Sequence, residues 1–179
     1  MRISITPCEK SPGVACVFKT GEVLLERTEK KITVHSTDET VRLGKQLGVS
    51  LNAGDLVALV GELGSGKTWF TKGVALGIGV HPKTVVSSPS FALVHEYRGK
   101  CPLYHMDVFR IDSPDDFFLS GLEEYLNFEG VVIMEWADRL APLLPHNRIW
   151  VEFSILDEHS REILFSGSHP RAAEVLVSL

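Results

Sequence analysis

The run "DLVALVGELGSGKT", Asp55 to Thr68, constrains the chain more than any other stretch. Asp55–Val60 is short, apolar and rich in branched side chains, the pattern of a central strand buried on both faces. It stops at a loop of three glycines, Gly61, Gly64 and Gly66, with one cation, Lys67, and a hydroxyl, Thr68, directly behind. Glycines admit positive φ and keep side chains away, so successive N–H groups can curl around an anion. "KTWFTKGVALGIG" then reads as a helix, with Phe70 and Val74 on one face and Gly77 or Gly79 ending it before Pro82. The segment Gly61–Thr68 satisfies G-x-x-x-x-G-K-[ST] between a strand and a helix, which specifies a phosphate site. The helix N-terminus adds its free N–H groups there. Lys67 can reach β- and γ-phosphates, and Thr68 can coordinate magnesium.

A magnesium nucleotide needs an acid at the end of a neighbouring strand. "VVIMEW" supplies Glu135, read as a metal ligand, with a plain edge-of-sheet glutamate as the alternative. "YHMDVFR" places Asp107 in apolar surroundings, where an unpaired acid is costly. Asp107 can orient an attacking water, hold magnesium, or pair with Arg110. In "VVSSPSF", Ser88 and Ser90 can donate to a γ-phosphate around the stiff Pro89, as a switch loop would. An ordinary serine turn at a strand start fits the same residues. His95 and His105 lack a cysteine or third histidine at metal spacing and read as ordinary polar residues. Trp136 reads as core, with a partner-facing anchor as the alternative.

Elsewhere the pattern is mixed. Ile32 and Val34 suit a strand. Ser36 with Glu39 forms a capping box for a helix bearing Val41, Leu43 and Leu47, with Gly48 as its stop. "FALVHEY" and "PLYHMDVFRI" form a hairpin across "RGKC". Ser113 and Pro114 start a helix over "SPDDFFLSGLEEYL". "RIWVEFSIL" and "REILFSG" alternate as a half-exposed hairpin, and "PRAAEVLVSL" suits a closing helix. The expectation is an α/β fold: a three-layer P-loop NTPase-type sandwich on a mixed, partly parallel central sheet. Residues 31–179 form one domain. Residues 1–30, with weak alternation in "GEVLLER", form an extension of open role.

The 179 residues carry a net charge of −5, which offers no footprint for sequence-independent nucleic-acid binding, so no direct DNA contact is expected. The three cysteines, Cys8, Cys16 and Cys101, make no CxxC pair, which fits a reducing compartment. No signal-peptide core and no membrane-length apolar run occurs, so the expectation is a cytoplasmic protein.

"STDETVRLG", "GELGSGKT", "VSSPSF", "YHMDVFRI", "GLEEYL", "IMEWADR" and "SRE", in this order, closely resemble the TsaE family over about residues 32 to 167. TsaE proteins are P-loop ATPases of bacterial tRNA N6-threonylcarbamoyladenosine synthesis. The resemblance implies phosphate binding by Glu62, Leu63, Gly64, Ser65, Gly66, Lys67 and Thr68, and magnesium at Thr68 and Glu135. It implies catalytic roles for Lys67, Asp107 and Glu135, a switch at Ser88–Phe91, and adenine-side contacts near Thr37, Ser160 and Arg161. ATP and Mg²⁺ are the implied cofactors. The implied partners are TsaB and TsaD, with tRNA reached indirectly through them. Hydrolysis, slow in the isolated chain, would reset that assembly rather than transfer the carbamoyl group. Ser90 stands where threonine is usual and keeps the hydroxyl; Ala137 stands where proline is common after the EW pair. Two other classes fit a P-loop chain of this size, a small-molecule kinase and a nucleotide-dependent binding switch with negligible turnover. No arginine-dense lid segment supports the kinase, and the absence of N-K-x-D argues against a GTPase.

Overall fold

Leu56 and Ala58 point to one side of the strand before the glycine loop, Val57 and Leu59 to the other, and all four are buried. A strand with two apolar faces has to lie between two layers. The computed structural model describes residues 27–127 and 129–179 and places that strand at the centre of a single sheet. The "GEVLLER" stretch lies, up to Glu26, outside the described residues.

Seven strands are described: β1 (Thr28–Val34), β2 (Leu56–Gly61), β3 (Val94–Arg98), β4 (Pro102–Asp107), β5 (Val131–Glu135), β6 (Ile149–Ile155) and β7 (Arg161–Gly167). Their order is β1-β7-β6-β2-β5-β4-β3. The β6–β2, β2–β5 and β5–β4 pairs are parallel, whereas β1–β7, β6–β7 and β3–β4 are antiparallel. The sheet is thus mixed, with its parallel part in the middle. One face carries α1 (Thr37–Ser50), α2 (Lys67–Ile78) and α4 (Pro170–Val177), which bury Leu47, Phe70, Val74 and Val175 against Val57, Leu59, Ile133 and Phe165. The other face carries α3 (Pro114–Leu119) and the turns after it, with Phe117, Leu122 and Leu140 against Leu56, Met106, Val132 and Met134. This is the three-layer α/β sandwich that the strand–loop–helix pattern predicts, a P-loop NTPase-type fold. No helix among the described residues is long and apolar enough to cross a membrane.

Local signals behave as their chemistry requires. Ser36 Oγ accepts from Glu39 N at 3.1 Å, and Glu39 reaches back to His35 N at 2.7 Å, one residue before the cap. Ser113 caps α3 with Pro114 at its first position. Gly79, at φ 93°, closes α2.

Three expectations need correction. Gly48 does not stop α1, which runs on to Ser50. Its role is contact: a Cβ at Gly48 would meet Val74 O at 2.4 Å, and one at Gly44 would meet Phe70 O at 2.3 Å. Gly73 and Gly77 of α2 approach Val41 O and Lys45 O in the same way, so the two helices touch backbone to backbone. The helix expected over 113–126 breaks at Gly121 (φ 70°), and Leu122–Asn127 forms a tighter 3-10 turn. The hairpin strands are shorter than their apolar runs. β3 begins only after Leu93 (φ 65°), and β4 ends at Asp107, whose carboxylate accepts from Phe109 N at 3.0 Å and turns the chain.

Candidate nucleotide-binding site

The loop between β2 and α2 owes its shape to glycine. Gly61, Gly64 and Gly66 take φ of 144°, 79° and 106°, in the region that favours residues without Cβ. Gly61 also lies against β6, where a Cβ would meet Phe153 O at 2.7 Å. Lys67 opens α2 and is buried; its ammonium donates to Gly61 O at 2.6 Å and to Glu62 O at 2.8 Å. The Trp136 ring lies 4.0 Å below it, a cation–π contact. Burial pushes the Lys67 ammonium below the ordinary lysine range, against the pull of Glu135, Asp107 and Asp138. The charge is held at the mouth of the loop with little water around it, where its field acts most strongly on an anion.

Opposite the loop stand the two acids. Glu135 ends β5 and Asp107 ends β4, both buried. Thr68 Oγ1 donates to Glu135 Oε1 at 2.9 Å, with Oε2 at 3.3 Å. Asp107 accepts from Ser88 Oγ through one oxygen and from Phe109 N through the other. Adjacent oxygens in a magnesium octahedron with bonds of ~2.0–2.1 Å lie about 2.9 Å apart. The Thr68–Glu135 pair matches that spacing and donor type. A magnesium ion takes few protein ligands beside phosphate and water, so these two oxygens suffice as its protein share.

Two cavities meet at Gly64, Gly66 and Trp69. One, of about 530 Å³, is lined by Lys67, Thr68, Ser88, Ser90, Asp107 and Glu135 among others. Leu63 stands exposed on its rim. The second, of about 440 Å³, is lined by Thr37, Ser65 and Arg161 together with His35, Glu158 and His159. Ser160 does not line it; it is buried, with its hydroxyl 3.0 Å from His35 Nδ1. Arg161 is set by the 157–161 turn, donating to Asp157 O at 3.0 Å and Glu158 O at 3.2 Å. That turn is held by the Asp157 carboxylate, which the His159 and Ser160 N–H groups keep below the usual carboxylate range. The arrangement has a phosphate-sized end with acids and a cation, and a polar end large enough for a nucleoside.

The model of the threonylcarbamoyl adenosine biosynthesis protein TsaE family matches residues 34–163, a span that holds both cavities' sequence-expected residues. The chain belongs to the TsaE family. It is 41% identical to the tRNA threonylcarbamoyladenosine biosynthesis protein TsaE of Treponema pallidum over 128 residues, 72% of this chain and 93% of the relative. With the Bacillus subtilis protein of the same name it shares 38% identity over 131 residues, 73% of this chain and 80% of the relative. The crystal structure of Bacillus subtilis YdiB superposes with a TM-score of 0.73 at 33% identity, covering 85% of this chain and 94% of that one. Membership joins this chain to the proteins of tRNA threonylcarbamoyladenosine biosynthesis, and the motif resemblance is borne out.

In this TsaE-family chain the residues singled out from sequence, Glu62 and Ser160 apart, line one pair of adjoining cavities. Glu62 contributes its carbonyl to Lys67 while its side chain stays exposed. The pairing of Asp107 with Arg110 does not occur; the Arg110 guanidinium lies over the Phe91 ring, 4.0 Å from its centroid. Two residues stand closer to the site than their sequence pattern predicts. Trp136, read as core, does pack partly buried against the core, but it also adopts φ 63° and lines the phosphate-end cavity. His105, read as an ordinary polar residue, is fully buried, with Nε2 2.8 Å from Glu135 Oε1. Period-two alternation places His105 on the face of Asp107 and Ile133 on that of Glu135, but only the strand register brings the ring to Glu135.

Proposed function

We propose that this chain binds ATP with magnesium, hydrolyses it slowly alone, and thereby acts on the TsaB–TsaD pair in bacterial tRNA N6-threonylcarbamoyladenosine synthesis. The observation that carries the reading is the junction of the two cavities at the glycine loop. A phosphate chain held there leaves its nucleoside beside Thr37 and Arg161, and its terminal phosphate beside Asp107 and Glu135.

The chain's residues divide the work by their chemistry. Loop amides from Glu62 to Thr68 and the N-terminus of α2 donate to phosphate oxygens. Lys67 exchanges its loop carbonyls for β- and γ-phosphate oxygens. Thr68 and Glu135 hold magnesium, which when bound neutralises phosphate charge. Asp107 orients the attacking water. Ser88 has a single hydroxyl proton, given either to Asp107 or to a γ-phosphate oxygen. Donation to phosphate frees an Asp107 oxygen for water, which couples the Ser88–Phe91 loop to the third phosphate. Ser90 lies beside it on the same wall. tRNA is reached through the partner proteins, in keeping with the net charge of −5 and a cytoplasmic setting.

Titration calorimetry with Mg·ATP, followed by phosphate release with and without purified TsaB and TsaD, tests the reading. Saturable binding and turnover raised by the pair support it. No heat from the folded chain removes the nucleotide site, and phosphate transfer to a metabolite replaces the reading with a kinase.

A further inference from the structure

His105 occupies a position that packing alone does not explain. It lies on β4 between Leu103 and Asp107, and its register partner on β5 is Ile133. The ring is fully buried, and no hydrogen-bond partner for its Nδ1 exists among the described residues. An apolar side chain would fill this place without burying a bare nitrogen, whose desolvation costs folding free energy. The compensation is a single bond, from Nε2 to Glu135 Oε1 at 2.8 Å.

That bond determines how Glu135 can be used. Oε1 accepts from both His105 Nε2 and Thr68 Oγ1, which uses both lone-pair directions of that oxygen. A glutamate has three side-chain torsions, and a single contact to the mobile Thr68 hydroxyl would leave them poorly determined. The buried imidazole, locked between strands, pins Oε1 from the side away from solvent. Oε2 is left without that anchor, 3.3 Å from Thr68 Oγ1, and both residues line the phosphate-end cavity. A carboxylate held at one oxygen and open at the other is prepared for a hard divalent cation before that cation arrives.

We infer that His105 is the positioning residue for the divalent cation: its Nε2–H clamps Oε1 of Glu135 so that the carboxylate presents its other oxygen, Oε2, beside the Thr68 hydroxyl. The inference rests on the proposed nucleotide site and adds to it the residue on which its metal linkage depends. His105 touches neither nucleotide nor metal. It acts only through Glu135.

The test measures the affinity of the full-length chain for ADP by calorimetry, with magnesium and with EDTA. The ratio of the two dissociation constants gives the gain due to the metal. His105→Leu keeps bulk and removes the donor; His105→Gln keeps an N–H that can reach Glu135. His105→Leu is expected to reduce the gain by about 10- to 100-fold, the usual loss on removing a partner of a metal ligand, with metal-free affinity unchanged. His105→Gln is expected to restore most of it, which general loss of packing would not allow. In a Glu135→Ala background, His105→Leu is expected to change the gain no further, since the ring then has nothing to position. Should His105→Leu fail to fold, His105→Met, of similar bulk and also without a donor, takes its place in both backgrounds. A full magnesium gain in folded His105→Leu, a gain lost in His105→Gln, or additive losses with Glu135→Ala overturns the inference and leaves the nucleotide site standing. A wild-type chain that binds no ADP under either condition overturns both.

Discussion

Asp107 and Glu135 are register partners across the β4–β5 ladder, each the last residue of its strand. Two buried carboxylates are therefore neighbours on one cavity wall, and each holds its own hydrogen-bond donors. Glu135 faces Thr68 and His105, whereas Asp107 faces Ser88 and the Phe109 amide. The different donors suit the two acids to the different duties proposed for them, metal holding for Glu135 and water orientation for Asp107. The pair is a place where like charges are kept close, which a cation such as Lys67 or magnesium relieves.

Glu135→Gln keeps the size of the side chain and removes its charge. Magnesium-dependent phosphate release is expected to fall on the order of 100-fold, as for loss of a group acting on transition-state charge. Metal-free ADP binding should stay near wild type. Steady-state kinetics over a magnesium titration checks this, and unchanged turnover removes Glu135 from the metal site.

Asp107→Asn is expected to lower kcat by about 100- to 10,000-fold while leaving ADP affinity within a few-fold, the signature of a group used in the chemical step. Ser88→Ala should weaken ATP binding more than ADP binding, because only ATP offers a γ-phosphate oxygen to its hydroxyl. If Asp107→Asn leaves turnover intact and only lowers the melting temperature, the carboxylate serves the turn at Phe109 and nothing more.

Lys67 links the site to the pH dependence of folding. Its folded-state pKa lies below 10.5 because burial disfavours the charge. Between that lowered value and 10.5 the unfolded chain holds more protons than the folded one, so stability rises with pH across the window. Below the window the burial cost is constant, and above 10.5 it vanishes. Denaturant melts of wild type and Lys67→Met from neutral pH to about 10.5 should show the wild type gaining on the variant as pH rises. The same variant is expected to lose ATP binding by about 100-fold or more, since a charge-assisted phosphate contact is removed.

Gly48→Ala tests the contact between α1 and α2. Its Cβ would meet Val74 O at 2.4 Å, so the helices must part. The expected cost is about 1–3 kcal/mol, the range for overpacking, seen as a melting temperature lower by several degrees. Gly48 lies inside α1, where alanine without a close neighbour would be stabilising, so the sign of the change reports the contact. Because α2 begins at Lys67, a shift of that helix should also weaken nucleotide binding.

Some of this molecule is written in consecutive residues. The glycine loop, its strand and its helix were legible because an anion cradle is built from adjacent backbone amides, and the caps at Ser36 and Ser113 for the same local reason. The acids at Glu135 and Asp107 were legible as acids ending apolar runs. Their side-by-side register was not, because it depends on strand order, and so the His105–Glu135 bond was missed as well. His35 and Ser160, 125 positions apart, meet only because β1 and β7 pair. Gly48 looked like punctuation, since a glycine after an apolar stripe usually ends a helix. Only the packing of α2 across it revealed a contact. Periodicity and turn chemistry report on each residue's nearest chain neighbours. What fills the space beyond them is decided by long-range pairing, where burial and close contact act between segments the chain keeps far apart.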